Sequence, residues 1–263
     1  MKQSISFAGR EFFFDDMDGK DQIAHQIRNG SFEQPLPIMV MASLTRMGGT
    51  FLDVGANSGI YTVLACATNP EIKVLAFEPY PLVRNVLQKN ITANDADQRV
   101  SLFPYALSDQ EGTLPLYIPD DSHGLLETSC SLERTFKENI SDTVNVDVKT
   151  MDSFGLYENI SVIKVDIEGH EPSFMKGAVE TIKRNRPIIF CEILSSDTGF
   201  FNSFLPSVGY YDFRLRPDRA ILDERIVFDS HSWNHAFVPR EKLSVFYDCC
   251  RTHGLEVVKK IVI

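Results

Sequence analysis

The chain has 263 residues, of which 43% are apolar and 24% charged, a composition typical of globular proteins with one α/β domain or two small ones. Its 36 acidic and 26 basic residues give a net charge of −10, which argues against broad binding to nucleic acid or to an anionic membrane. The first 14 residues lack a signal-peptide core, no apolar run reaches membrane-spanning length, and the five cysteines contain no C-x-x-C pair. We therefore expect a cytoplasmic protein without a disulfide framework or a structural zinc site.

From residue 50 onward, short apolar runs alternate with helix-like stretches. The runs lie at 51–54, 74–77, 100–103, 162–167 and 188–193, and the helix-like stretches lie at 59–67, 81–94 and 172–185. Continuous β-branched and aromatic runs suit strands that are buried on both faces, and their alternation with helices indicates a doubly wound, mostly parallel sheet. We therefore predict an α/β fold for residues 50–263, preceded by a helical cap formed by residues 1–49.

The stretch from 104 to 161 departs from this alternation. Residues 112–118 and 144–148 have strand-like patterns around a loop rich in Ser, Asp and Glu, which indicates an insertion at about 112–148. Such an insertion either covers an active site or is a plain surface excursion. Further on, residues 210–239 resemble a two-stranded hairpin, and a helix-like segment at 241–253 leads to an apolar tail at 255–263.

The first predicted strand ends in a glycine turn, F-L-D-V-G-A-N-S-G-I-Y at 51–61. This turn is expected at the carboxyl ends of the strands, where open α/β sheets bind ligands. The dinucleotide fingerprint G-x-G-x-x-G fails here because Asn57 occupies the place of the second glycine. Asp53 would repel a pyrophosphate but favour the ammonium and sulfonium of S-adenosylmethionine, although many α/β proteins use such a turn only structurally. We therefore expect Asp53, Gly55 and Gly59 at a binding site for this nucleoside.

Glu78 ends the second predicted strand, in V-L-A-F-E-P. An acid at this position holds the ribose hydroxyls in nucleoside-binding Rossmann folds. Taken alone, Glu78 could also be a solvent-exposed strand end. Its spacing from the glycine turn favours the ribose role.

The densest polar cluster follows the fourth predicted strand, in I-K-V-D-I-E-G-H-E at 163–171. Strand alternation would place Lys164, Asp166 and Glu168 on one face, near the carboxyl end of the strand. Methyl transfer to a hydroxyl needs a base, and His170 is the first candidate, with Asp166 and Glu168 as the next ones. The alternative is structural: acids at a helix N-terminus and a histidine with a fixed hydrogen bond.

Glu192 ends the fifth predicted strand, which is expected beside the fourth. Asp166 and Glu192 could then hold a divalent cation such as Mg²⁺ or Mn²⁺, which would lower the pKa of a bound hydroxyl. Glu192 could equally bind a backbone group. Trp233, the only tryptophan, lies in H-S-W-N-H at 231–235 and either contacts a polar acceptor or packs in the core.

Taken together, these stretches resemble the FkbM family of methyltransferases over roughly residues 30–192. The matching motifs are D-V-G-A-N-S-G-I-Y at 53–61, A-F-E-P at 76–79, A-L-S-D at 106–109, V-K-T-M-D at 148–152, I-K-V-D-I-E-G-H-E at 163–171, K-G-A at 176–178 and R-P at 186–187. The resemblance implies a Rossmann-like class I methyltransferase fold, with a seven-stranded sheet that contains one antiparallel strand. It also implies S-adenosylmethionine as methyl donor.

The resemblance assigns the methyl-donor site residue by residue. Along the methionine part would lie Asp53, Gly55, Asn57 and Gly59. Glu78 would hold the ribose, and residues of 106–109, namely Ala106, Ser108 and Asp109, would line the adenine. Glu33, in G-S-F-E at 30–33, would close over the methyl donor.

The favoured function is O-methylation of a hydroxyl on a sugar or another natural-product small molecule. N-methylation and carboxyl methylation remain alternatives because the methyl-donor site does not distinguish acceptors. A non-catalytic nucleoside-binding protein of the same fold is a third possibility, and the acids beside His170 argue against it.

Overall fold

The computed structural model describes residues 2–7, 9–15, 17–29, 32–120, 129–155, 158–194 and 196–259. The strands in this part of the chain are β1 (Lys2–Phe7), β2 (Arg10–Asp15), β3 (Thr50–Val54), β4 (Lys73–Phe77), β5 (Val100–Phe103), β6 (Ala106–Leu107), β7 (Gly112–Pro119), β8 (Ile140–Lys149), β9 (Ile160–Val165), β10 (Ile188–Glu192), β11 (Tyr210–Arg216), β12 (Arg219–Leu222), β13 (Asn234–Pro239) and β14 (Glu256–Lys259). The α-helices are α1 (Gln22–Arg28), α2 (Leu36–Met47), α3 (Ile60–Thr68), α4 (Pro81–Ala93), α5 (Glu171–Gly177), α6 (Val179–Asn185), α7 (Thr198–Val208) and α8 (Leu243–Thr252).

The largest sheet in the described residues has the strand order β14-β12-β11-β13-β10-β9-β3-β4-β5, and we call it the central sheet. From β5 to β11 it matches the prediction, because β13 alone runs antiparallel among those seven strands. The predicted total of seven is wrong, since β12 and β14 extend the sheet beyond β11. The sequence pattern predicts the run in β12 only as part of a two-stranded hairpin, and it predicts no element for the apolar tail that contains β14.

Both faces of the central strands are buried, as the apolar runs predict. Alternate residues of β3 enter different clusters: Phe51 joins the core beneath α2, α3 and α8, and Leu52 joins the core beneath α5, α6 and α7. The α/β doubly wound architecture therefore follows from strands that have no polar face. Among the helices in the described ranges, none combines the length and the apolar character needed to span a bilayer.

Two predicted boundaries are wrong near the carboxyl edge of the sheet. β9 ends at Val165, so the residues from Asp166 to His170 form a loop and do not alternate along a strand. The helix predicted at 172–185 is interrupted at Ala178, which separates α5 from α6. Gly177 precedes this break and packs so closely that an added Cβ would lie 1.9 Å from the Ser108 carbonyl oxygen.

The first 49 residues contain a hairpin as well as helices. β1 and β2 pair antiparallel, followed by α1 and α2, so the predicted helical cap includes a two-stranded sheet. Phe7 contacts Phe32 edge-on, with ring centroids 6.3 Å apart, and Phe32 lies 5.9 Å from Tyr61. These aromatic contacts place Glu33, the next residue, beside the central sheet.

The predicted insertion supplies β7 and most of β8 to a separate three-stranded sheet with the order β6-β8-β7, whereas β6 precedes the insertion. β7 and β8 pair antiparallel over most of their length. Residues 129–139 precede β8 and return toward the carboxyl edge of the central sheet, where Ser131 contacts Glu168.

Candidate functional site

A cavity of about 410 Å³ lies at the carboxyl ends of β3, β4, β9 and β10. This is the edge at which open parallel sheets bind ligands, and the volume suits a small molecule. One wall is formed by the glycine turn and the end of β4, and another by the acidic loop after β9. The cavity is therefore where the sequence predicts a methyl-donor site and an acceptor side to meet.

The glycine turn brings the ends of β3 and β9 into contact. Gly55 has φ +74°, and a Cβ at this position would lie 2.0 Å from the Asp166 carbonyl oxygen. Only glycine permits both this conformation and this close approach. Asn57 also has a positive φ, of 54°, which asparagine tolerates better than most residues, and Gly59 precedes α3 with φ 96°.

Glu78 is buried at the end of β4 and lines the cavity. Its two carboxylate oxygens accept hydrogen bonds from the backbone N–H groups of Asn57 (3.0 Å) and Tyr80 (2.8 Å). Burial raises the pKa of Glu78 to about 7, although both bonds and the nearby Arg84 oppose the increase. Glu78 therefore joins the end of β4 to the glycine turn.

Asp53 is fully buried in β3 and is not among the described residues that line the cavity. Its Oδ2 accepts a 2.6 Å hydrogen bond from the Thr62 hydroxyl of α3. Burial raises the pKa of Asp53, whereas Lys164 on the adjacent strand opposes this increase. Asp53 thus lies behind the glycine turn, and its predicted contact with the methyl donor stays a prediction.

Lys164 places a buried positive charge among the acids of the cavity. Its Nζ donates to Asp166 Oδ2 at 3.0 Å and lies 4.8 Å from the centroid of the Tyr61 ring. Burial lowers the pKa of Lys164, but Asp166, Asp53 and Glu33 raise it more, so that it lies above its ordinary value. The ammonium is therefore retained at neutral pH.

Glu33 faces the same group from the N-terminal segment. The Tyr61 hydroxyl donates to Glu33 Oε2 at 2.5 Å, and both residues line the cavity. Burial and then Asp166 raise the pKa of Glu33, while Lys164 and the Tyr61 hydrogen bond oppose them. Glu33 has φ 38°, a strained conformation for a residue other than glycine.

Three carboxylates come together at the predicted metal position, but they are held differently. Oxygens of Asp166, Glu171 and Glu192 all lie within 4.8 Å of one another. Glu171 is buried and accepts from the backbone N–H groups of Ile167 (2.8 Å) and Gly169 (2.9 Å), so that it stabilises the loop. Asp166 is paired with Lys164. Burial, followed by the charges of Asp166 and Glu168, raises the pKa of Glu192 to about 10.

His170 lines the cavity, and both of its ring nitrogens are engaged. Nε2 lies 2.9 Å from Ser108 Oγ, and Nδ1 lies 2.7 Å from Glu133 Oε1. The ring is buried, and Ser108 is fully buried behind it. An acceptor hydroxyl would have to displace one of these partners to reach the imidazole.

The predicted adenine wall is only partly at the cavity. Ala106 lines it, together with Tyr105 and Leu107. Ser108 is instead directed at His170, and Asp109 is exposed, 4.0 Å from Lys176 Nζ. Neither Ser108 nor Asp109 is among the described residues that line the cavity.

A family model described as the methyltransferase FkbM domain matches residues 53–212, more than half of the chain. The chain belongs to the FkbM methyltransferase family. The match begins at Asp53 and covers the glycine turn, Glu78 and the acidic loop, so the resemblance inferred from the sequence motifs is confirmed.

Curated relatives of this FkbM-family protein include methyltransferases from a fungus and a bacterium. Methyltransferase sdnD of Sordaria araneosa is 32% identical over 155 residues, which cover 49% of this chain and 60% of sdnD. The 2-O-methyltransferase NoeI of Sinorhizobium fredii is 24% identical over 198 residues, 70% of this chain and 79% of NoeI. The chain thus matches less than two thirds of the length of sdnD.

Solved structures with a similar fold include a methyltransferase FkbM from Methylobacillus flagellatus. It has a TM-score of 0.48 and 18% identity, and the superposition covers 72% of this chain and 43% of that one. TYW2 of M. jannaschii, solved in complex with AdoMet, has a TM-score of 0.45 and 12% identity, covering 90% of this chain and 84% of that one.

The cavity lining of this FkbM-family protein includes Trp233, for which the sequence left two roles open, and Tyr61, which the sequence does not predict as a site residue. Trp233 lines the cavity with 48% of its surface exposed, so its alternative role in core packing is excluded. His235 is buried and bonded to Asp212 at 2.8 Å, and it is not among the described residues that line the cavity. Tyr61 and Glu133 were missed because their contacts join distant parts of the chain. The pairing of Lys164 could have been predicted, because a lysine inside a strand that is buried on both faces requires an acidic partner.

Proposed function

We propose that this protein transfers a methyl group from S-adenosylmethionine to a hydroxyl of a sugar or another small molecule. The observation that carries the proposal is the cavity itself: a buried nucleoside-type carboxylate, Glu78, faces a second wall of acids across the ends of four parallel strands. Family membership supports the reaction class. NoeI, named as a 2-O-methyltransferase, supports a hydroxyl acceptor.

The residues present fit the methyl donor. Glu78 offers a carboxylate to the ribose, Gly55 and Asn57 bring backbone to the cavity, and Ala106 and Leu107 give an apolar surface for the base. The surplus of acids over Lys164 suits a ligand with an ammonium and a sulfonium. When bound, this ligand supplies the methyl group.

Glu168 is our candidate for the base that removes the hydroxyl proton. It lines the cavity, and its backbone has a positive φ of 58°. No hydrogen bond joins its carboxylate to another described residue. Asp166 is paired with Lys164, and both ring nitrogens of His170 are engaged. Burial raises the pKa of Glu168 well above its ordinary value, as expected for a carboxylate that takes up a proton near neutral pH.

Trp233 supports a carbohydrate acceptor in this proposal. A partly exposed indole presents a broad apolar face to one side of a ligand. The carboxyl groups of Glu168 and Glu192, which line the same cavity, offer hydrogen-bond acceptors to hydroxyl groups. A flat apolar surface and several acceptors together suit a sugar ring.

The first test is binding, followed by transfer. Calorimetry should detect S-adenosylmethionine, and Glu78→Ala should weaken its affinity by about 1–3 kcal/mol, the value of a charge-assisted hydrogen bond. Glu71→Ala, at an exposed glutamate, is the matched control. Production of S-adenosylhomocysteine with a panel of methyl glycosides would identify the acceptor class.

The outcomes separate the alternatives. Binding without turnover on hydroxyl, amine or carboxylate acceptors would leave a non-catalytic nucleoside-binding protein. Turnover only on amines or carboxylates would replace the O-methylation proposal. Failure to bind S-adenosylmethionine would overturn the proposal altogether.

A further inference from the structure

Residues 129–139, which we call the arm, form part of the cavity wall. Side chains of the arm that line the cavity include those of Cys130, Leu132, Phe136 and Lys137. At one edge the arm is bridged to β7, because the backbone N–H of Tyr117 donates to the Ser131 carbonyl at 2.8 Å and the reverse bond measures 3.2 Å. The position of the arm therefore sets the shape of this side of the cavity.

Two side chains of the arm bind the acidic loop. Ser131 Oγ donates to the carbonyl oxygen of Glu168 at 2.7 Å. Two residues later, Glu133 Oε1 lies 2.7 Å from His170 Nδ1. The arm is thus attached to the loop that carries the proposed base, at both ends of its Glu168–His170 portion.

The contact between Glu133 and His170 determines which ring nitrogen of the histidine carries a hydrogen. An ionised carboxylate only accepts hydrogen bonds, so His170 Nδ1 carries the hydrogen and donates it to Glu133. Nε2 contacts Ser108, which is fully buried. A neutral and a protonated ring both keep the Nδ1 hydrogen, so the contact to Glu133 persists in either state. His170 therefore connects the arm to the interior through Glu133 and Ser108.

We propose that Glu133 is a positioning residue, whose bond to His170 holds the arm as a wall of the cavity beside Glu168. The proposal rests on the proposed function for the role of Glu168 as the base. It makes His170 an anchor for the arm. No sequence motif marks Glu133, because its partner lies 37 residues away.

Cys130 gives a direct readout of the arm that needs neither methyl donor nor acceptor. It is half-buried in the cavity wall, whereas Cys66, Cys191, Cys249 and Cys250 are buried. Alkylation of the native protein by iodoacetamide, followed by peptide mass spectrometry, measures the reactivity of each thiol. We expect Glu133→Ala to accelerate Cys130 alkylation about tenfold without exposing the four buried thiols.

Matched variants separate the contact from a general change in the arm. Glu133→Gln keeps an oxygen that accepts the Nδ1 hydrogen and should react within twofold of the native protein. Glu138→Ala, at an exposed glutamate of the same arm, should also match it. If Glu133→Ala exposes all five thiols, it has unfolded, and Glu133→Asp, whose shorter side chain cannot span the distance, provides the same comparison. A native alkylation rate of Cys130 in the folded variant would overturn the proposal.

A kinetic readout then links the arm to transfer. With any methyl glycoside that is turned over, Glu133→Ala should raise the acceptor KM about tenfold while kcat stays within twofold. An unchanged acceptor KM would overturn the positioning role. Absence of transfer to every acceptor would overturn the proposed function, and the alkylation experiment would still decide whether Glu133 holds the arm.

Discussion

The ionisation of Glu78 should make both folding and nucleoside binding depend on pH. Glu78 is buried, and its pKa rises from an ordinary value of 4.5 to about 7 in the folded protein. A raised pKa means that the folded state binds the proton more tightly than the unfolded state. The resulting stabilisation is complete below the unfolded pKa and is lost as pH rises from about 4.5 to about 7.

The size of the effect follows from the shift. A change of one pKa unit corresponds to about 1.4 kcal/mol, so a shift from 4.5 to about 7 is worth about 3 kcal/mol of the free energy of unfolding. Glu78→Gln carries no charge at any pH and removes this contribution. The difference in unfolding free energy between the variant and the native protein should therefore move by about 3 kcal/mol in favour of the variant between pH 4.5 and pH 8.

Urea denaturation at pH 4.5, 6, 7 and 8 measures this difference, and Glu71→Gln is the exposed control. The affinity for 5′-methylthioadenosine, measured over the same pH range, gives an independent check. This compound retains the ribose and lacks the charged amino-acid part. If the ribose is held by ionised Glu78, affinity should increase about tenfold per pH unit below 7 and level off above it. A constant difference in stability across this range, together with pH-independent binding, would refute the reasoning.

Three further outcomes are expected. Lys164→Met should lower the free energy of unfolding by about 3 kcal/mol at neutral pH, measured by denaturation, because it leaves Asp166 without its partner; an unchanged value would show that the pair is not coupled. Glu168→Gln should reduce turnover by about two to four powers of ten without altering methyl-donor affinity, whereas His170→Ala should retain kcat; the reverse ranking in steady-state kinetics would restore His170 as the base. Excess chelator should abolish turnover if Asp166 and Glu192 hold Mg²⁺ or Mn²⁺, and full activity in chelator would exclude that prediction.

The strands could be predicted because their signal is local. β3, β4 and β10 begin and end within one residue of the apolar runs that predict them, since each is buried on both faces. The end of β9 was misplaced because Ile167 continues the alternation of apolar residues. There the backbone leaves the sheet to meet Gly55 and to donate to Glu171, and both contacts depend on the folded chain.

The candidate site also has parts that could be predicted from local sequence and parts that could not. The sequence predicts Glu78 and the glycine turn together because a strand end and the first strand-to-helix turn have fixed places in this fold. The pairing of His170 with Glu133 joins residues whose separation follows no periodicity. The same holds for Tyr61 and Glu33, which lie 28 residues apart. Such contacts require the tertiary structure, so the acceptor side was predicted only as a set of residue types.

The loop after β9 joins the two sides of the cavity mechanically. Its first residue, Asp166, packs its carbonyl against Gly55 of the glycine turn, and Glu171 fixes the backbone of Ile167 and Gly169. We therefore expect a substitution that moves this loop to shift the glycine turn as well. Among the described residues, Ser131 and Glu133 of the arm form hydrogen bonds to this loop, while Cys130 and Leu132 pack against the cluster that contains Ala106. The arm therefore touches the cavity at the acidic loop and at the wall formed by Ala106, so we expect a displacement of the arm to change both of these surfaces.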